Sequence, residues 1–286
     1  MLLGLPAVAY VLLLAGGPLF EGLRYSLFDY NLLRPQRMSF AGWGNYVRML
    51  EDASAMRALW NTFLFTLIAV GIELALGLAL ALALWSDGRY ERAALIALLV
   101  PVMITPLAVA LIFKALFSAE FGLLGYWGRM AGIVGERGFF GDPVSAFASI
   151  VFIDVWQWTP LVVLILRAGL ASIPAEMLEA AGVDGATGWQ RLRLVILPML
   201  LPAILLALIL RAMDAFRLFE AVFVTTKGGP GDATNVLQFY AVKQGFEFFN
   251  IGYASAIANV TLVAIALLAT VFVLVLRRAD RRMAGR

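Results

Sequence analysis

The sequence predicts an all-α polytopic membrane protein, and three observations carry that reading. Hydrophobic residues make up 62% of the 286 and charged residues only 14%, a balance that no soluble core absorbs. Six apolar stretches are each long enough, at roughly 17 to 25 residues, to cross the hydrocarbon as helices. None shows the period-2 alternation of a lipid-facing barrel strand. With no Cys and no His, disulfides, thiol chemistry and the commonest metal ligand are removed, so neither a metal site nor His-based catalysis is expected. The net charge of +3 is scattered beside the apolar stretches rather than gathered into a basic stripe, which sets nucleic acid aside.

The six stretches lie near 2–23, 58–85, 93–117, 145–168, 196–222 and 252–276 and form one transmembrane domain over 1–286. The first starts without a basic n-region and holds Pro6 and Pro18, so an uncleaved helix is expected rather than a signal peptide. The third holds Pro101 and Pro106, which a membrane helix tolerates where neighbours satisfy the freed backbone groups. Charge assigns the connectors to sides. Ser86–Arg92, Arg167–Val195 and the tail from Arg277 hold ten Arg in 46 residues, whereas 24–57, 118–144 and 221–251 hold nine Lys or Arg in 92. The denser set, with Arg277, Arg278, Arg281, Arg282 and Arg286 beside a span, places both termini in the cytoplasm.

Between the fourth and fifth stretches lies a polar segment at 170–195. Pro174 suits the first turn of a helix, Glu176 and Glu179 favour its N-terminal end, and Asp184-Gly185 ends it. Such a helix either lies on the membrane surface with Leu178 and Val183 in lipid or docks into a protein cleft. Its acidic start favours docking, because surface anchors are usually basic on the polar face.

Charges within the spans form a second set. Arg211, Asp214, Arg217 and Glu220 alternate in sign every three residues, a spacing that permits a chain of i,i+3 pairs. A bare charge at mid-membrane costs about 2.5 to 3.5 kcal/mol, so one side of this ladder must meet protein or water. It either holds the helix to its bundle or lines a pathway; Phe216, Phe219 and Phe223 between the charges suit a pathway for a sugar. Asp154, Trp156 and Gln157 in the fourth span and Asn259 in the sixth are further candidates, with Trp158 beside them. Asn61, Thr62, Thr66 and Glu73 in the second span read as packing, and Lys114 as a snorkelling cation. The turn at Gly228-Gly229-Pro230-Gly231 reads as an outer loop. The chain has no G-x-x-x-x-G-K-[ST] phosphate loop.

Glu179-Ala180-Ala181, Gly185 and Val195-Ile196-Leu197-Pro198 together resemble the EAA loop of binding-protein-dependent ABC importer permeases. Phe40-Ala41-Gly42-Trp43-Gly44-Asn45-Tyr46, Trp60-Asn61-Thr62, Asp154-Val155-Trp156-Gln157-Trp158-Thr159-Pro160 and the loop after Thr226 are similar to the maltose-type sugar permeases among them. The 118–144 connector is only 27 residues, without the large domain inserted in the maltose permease, so the six-span core is closer to the glycerol-phosphate and oligosaccharide permeases. The resemblance implies a type I importer fold in a bacterial or archaeal plasma membrane and a carbohydrate solute. The implied partners are a second homologous permease subunit, an ATP-binding-cassette ATPase dimer and an extracytoplasmic solute-binding protein. No cofactor is expected on this chain; ATP and Mg would sit on the ATPase, and Glu179, Ala180, Ala181, Asp184 and Gly185 would couple to it. The nearest alternative solute is glycerol phosphate or another small molecule, and the alternative class is an ion-coupled secondary transporter. A phosphorylated solute would favour free arginines, so the pairing of Arg211 and Arg217 discriminates.

Overall fold

The computed structural model describes residues 5–86 and 88–284. Helix α1 (Leu5–Ser26) leads into a short antiparallel pair, β1 (Phe28–Asp29) and β2 (Ser39–Phe40), with Phe28 opposite Phe40. This hairpin is a small exception to an otherwise helical chain. Asn45 fastens it by donating to the carbonyls of Ser26 and Phe28, both at 2.8 Å. Helix α2 (Gly44–Glu51) follows, then α3 (Ala53–Ala83). The second span therefore starts five residues before the expected Ala58. The reason is Asp52, an N-cap whose carboxylate accepts from the Ser54 and Ala55 N–H groups.

The third stretch is not a straight helix. It divides into α4 (Arg89–Met103) and α5 (Pro106–Leu116), bent by 95°. Pro106 has no N–H to continue the ladder and restricts the residue before it, and Ile104 and Thr105 are both extended. Helix α6 (Leu123–Met130) then leads to α7 (Pro143–Ala171), which opens with Asp142 as N-cap and Pro143 in its first turn. Helix α8 (Ala175–Val183) carries the polar segment, with Pro174 as its N-cap rather than in its first turn. Thr187 and Gln190 form a reciprocal capping box on α9 (Gly188–Arg191), and a π-helical turn at Leu192–Ile196 joins it to α10 (Leu197–Ala215).

The fifth stretch also ends earlier than expected: the helix stops at Ala215 and restarts as α11 (Glu220–Val224). Helices α12 (Leu237–Phe246) and α13 (Ile251–Ala284) complete the chain. Arg286 lies outside the described residues, as do the side chains of Arg277, Arg278, Arg281 and Arg282. Among the described residues four helical stretches are long and apolar enough to cross a membrane, Ala53–Ala83, Pro143–Ala171, Gly188–Val224 and Ile251–Val275, and the bent α4–α5 pair makes a fifth if it is one span.

The core sits around α7, which packs against α3, α4 and α10. Glycine allows the closest approach: a Cβ on Gly77 of α3 would lie 2.5 Å from Val162 Cγ1. Phe65, Val70, Ile150, Val155 and Val222 form one buried cluster, and Val162, Leu166, Leu170 and Leu200 another. Leu206 and Leu210 of α10 and Val263, Leu267 and Val271 of α13 stay exposed. Apolar side chains facing outward along helices whose backbone bonds are internal suit lipid as the outer medium.

Candidate functional site: a buried arginine node and an exposed acidic helix

Arg211 is 1% exposed. Its guanidinium is met by three carboxylates from three helices. Nε and Nη2 donate to the two oxygens of Glu73 at 2.7 and 2.9 Å, Nη2 also to Asp154 at 2.8 Å, and Nη1 to Asp214 at 2.6 Å. Glu73 comes from α3, Asp154 from α7, and Asp214 from one turn further along α10. The Glu73 contact is the planar two-bond fork that guanidinium favours. Trp158 of α7 lays its ring beside the guanidinium, 4.9 Å from centroid to carbon. A charge that would be costly alone in lipid is thus fully enclosed and paired.

Of the three links in the expected ladder, Arg211–Asp214 and Asp214–Arg217 are present and the third is not among the described contacts. Arg217 approaches Asp214 at 3.8 Å, with both side chains about half exposed. No ion pair joins Arg217 to Glu220 among the described contacts, because the helix breaks at Phe216–Phe219 and Glu220 starts α11. Asp154, Gln157, Trp158, Asp214, Arg217 and Glu220 line a cleft of about 350 Å³ beside the node.

Other candidates sit elsewhere. Trp156 points away from the node into an apolar groove and packs edge-on against Phe113 at 5.1 Å; the aromatic at the node is Trp158. Gln157 donates to the Ile104 carbonyl at 3.0 Å, holding the α4–α5 bend. Phe216 is buried, while Phe219 stacks on Phe223 at 5.1 Å and leans on Phe239. Asn259 donates to the Gly22 carbonyl at 3.3 Å and to the Tyr46 hydroxyl at 3.4 Å, tying α13 to α1 and α2. Lys114 is not a snorkelling cation: its ammonium donates to the Val224 carbonyl at 2.8 Å, at the C-terminal end of α11.

Two anchors were not read from sequence as sites. Glu73 reads from sequence as packing with Thr62 and Thr66, but it is an ion-pair partner of Arg211, 138 residues away. Asp52 accepts from the hydroxyls of Tyr240 at 2.6 Å and Tyr253 at 2.8 Å. Burial opposes its charge, but these hydroxyls and the Ala55 and Ser54 N–H groups outweigh it and hold the carboxyl below its usual range. Burial, with the Asp52 carboxylate, pushes the Tyr240 hydroxyl up. The Gly228–Gly231 turn is held in place by Asn61, which donates to the carbonyls of Asp232 at 3.0 Å and Asn235 at 2.9 Å, and by Arg57 on the Gly231 carbonyl.

Helix α8 is the opposite of the node. Among its residues none is buried, and Glu179, Ala180, Asp184 and Gly185 are exposed, with Ala181 half-buried. Gly185 takes a φ of +73°, the left-handed conformation that lets the chain turn back at the helix end. Arg191 Nε donates to the Ala186 carbonyl at 3.1 Å and braces the turn. Among the described residues no group of carboxylates is arranged to hold a metal ion.

The sequence model of the binding-protein-dependent transport system inner membrane component family matches residues 73–285, a range that takes in the node, the cleft and α8. The chain belongs to that family. It is 34% identical to the trehalose/maltose transport system permease protein of Thermococcus litoralis, over 79% of this chain and 76% of that one. It is 33% identical to the trehalose transport system permease protein of Mycobacterium tuberculosis, over 94% and 85%. Its backbone matches a chain of a bacterial ABC transporter involved in the import of the acidic polysaccharide alginate, with a TM-score of 0.80 at 20% identity over 96% and 93% of the two chains. That last likeness is one of fold. Within the family the chain is a transporter permease subunit, and its node and acidic helix are two parts of one such membrane component.

Proposed function

We propose that this chain is the membrane-spanning permease subunit of an ABC importer that moves a carbohydrate into the cytoplasm by alternating access. The observation that carries the reading is α8: a two-turn acidic helix with no buried residue, closed by a left-handed glycine, joined to the packed helices by a capped turn. Such a lever needs a partner to bury it. In this reading Glu179, Ala180, Ala181, Asp184 and Gly185 seat α8 in an ATPase subunit that holds ATP and Mg, and this chain has no ATP site of its own. A second homologous permease, an ATPase dimer and an extracytoplasmic solute-binding protein complete the assembly. The six-span topology, with both termini cytoplasmic, takes α1, α3, the bent α4–α5 pair, α7, α9–α11 and α13 as the crossings. ATP closure would move α8, and through α9, the π turn and α10 would shift the paired permeases between inward-open and outward-open states.

The carbohydrate assignment is supported by the trehalose and trehalose/maltose names of relatives at 33% and 34% identity. Engagement of Arg211 by carboxylates speaks against glycerol phosphate at the node, whereas Arg217, about half exposed and 3.8 Å from Asp214, adds nothing to that argument. The test is purification of the tagged chain from its native membrane. Recovery of an ATPase, a second permease and a solute-binding protein whose ligand is a sugar is expected. A homo-oligomer lacking ATPase after gentle solubilisation would overturn the reading.

A further inference from the structure

The cleft of about 350 Å³ between α5, α7 and the α10–α11 break has a charge that can be counted. Asp154, Asp214 and Glu220 line it together with Arg217, and Arg211 and Glu73 stand directly behind. Four carboxylates against two guanidiniums leave two net negative charges. Protonation of any one carboxyl still leaves the cleft negative. Arg211 has little to offer an anion, since it is 1% exposed and four of its five N–H donors go to carboxylates. Lys114 is not among the lining residues and its ammonium is directed at the Val224 carbonyl; including its charge would still leave the cleft negative. Polar groups at membrane depth around a cleft with room for water and solute favour a pathway over simple glue, and Trp158 supplies aromatic surface suited to the C–H face of a pyranose.

We propose that this cleft is the solute contact of the chain and that its charge admits uncharged or amine-bearing carbohydrate while rejecting phosphorylated, sulfonated and carboxylated sugars. The proposal rests on the carbohydrate-import reading above and goes beyond it in naming the class of solute. Carboxylate oxygens accept from sugar hydroxyls and from ammonium groups, whereas they repel an anion in a site where water screens little.

The absence of Cys from the chain makes a local charge measurement direct. Ala221→Cys and, separately, Leu218→Cys put one thiol on the cleft wall. In the importer complex as purified, each is labelled with a cationic trimethylammonium methanethiosulfonate and an anionic sulfonatoethyl one, read by intact mass of this chain. The cationic-to-anionic rate ratio, normalised to 2-mercaptoethanol, is expected to be raised on the order of tenfold by a cleft focusing negative potential. It should fall several-fold when Glu220→Gln and Asp214→Asn are added. Trehalose should slow the labelling, and glucose 6-phosphate at equal concentration should not. An unbiased or anion-favouring ratio, failure of both thiols to react in the folded complex, or protection by the phosphorylated sugar would overturn the proposal. A cationic bias in a native complex that imports no sugar would overturn the import reading and leave the charge assignment standing.

Discussion

The node at Arg211 and the helix α8 both consist of charges set against small or aromatic residues, yet they are built on opposite terms. At the node one guanidinium is satisfied by three carboxylates, two of them 138 and 57 residues away. In α8 the acids have no ion-pair partner among the described residues, and the helix rests on the bundle through Leu178 and a braced C-terminal turn. A buried charge is secured by long-range partners and contributes to the integrity of the helix bundle. An exposed one contributes little to that integrity and, in the proposed reading, is available to a partner outside the chain. Stability experiments should therefore separate the two regions cleanly.

The sharpest break in that comparison is Arg211→Leu. It strands Glu73 and Asp154 as buried carboxylates without a counter-ion, and the expected loss is about 3 to 5 kcal/mol, read as a large fall in the melting temperature of detergent-solubilised protein. Adding Glu73→Gln should recover part of the loss; a wild-type melting temperature for Arg211→Leu would refute the node. Glu179→Lys should act in the opposite way, abolishing ATP-driven uptake with an unchanged melting temperature. Retained uptake would remove the coupling role from α8. Gly185→Ala forces a left-handed φ of +73° on a side chain and should cost about 1 kcal/mol, detectable as a weakened hold on the ATPase before any global unfolding.

The Asp52 anchor provides a pH test. Its folded carboxyl is held below the usual range, so its contribution is present above the unfolded pKa of about 3.9 and is lost as pH falls through the lower folded value. Asp52→Asn should therefore melt below the wild type at pH 7, with the gap closing as the medium is acidified below pH 4. A gap independent of pH would assign the effect to packing. The smallest effect is expected at Arg217→Ala, whose partner is 3.8 Å away with both side chains about half exposed: within about 0.5 kcal/mol of wild type in stability. A loss as large as that of Arg211→Leu would show that the ladder is continuous after all.

These contrasts also explain what the sequence disclosed. Helix α8 was legible because its signals are local: acids early, Asp184-Gly185 at the end, and apolar sequence resuming at Val195. Pro106 reads from sequence as tolerated within one continuous span, but the chain bends by 95° there, with Gln157 of α7 donating to the Ile104 carbonyl at the break. The break after Ala215 carries neither Pro nor Gly at 216–219, so helical spacing was extended through it and Glu220 was assigned to a ladder it does not join. Glu73 reads from sequence as packing, since no spacing rule links it to a residue 138 positions on. Ion pairing between distant helices is a property of the packed bundle, and periodicity within one helix does not contain it.

Asp154 and Gln157 lie three residues apart on α7, and one binds the guanidinium of α10 while the other holds the open carbonyl where α4 gives way to α5. Two joints of the bundle are therefore keyed to a single turn of one shaft. A rotation of α7 would strain both contacts at once, because the two side chains leave the same turn of the helix.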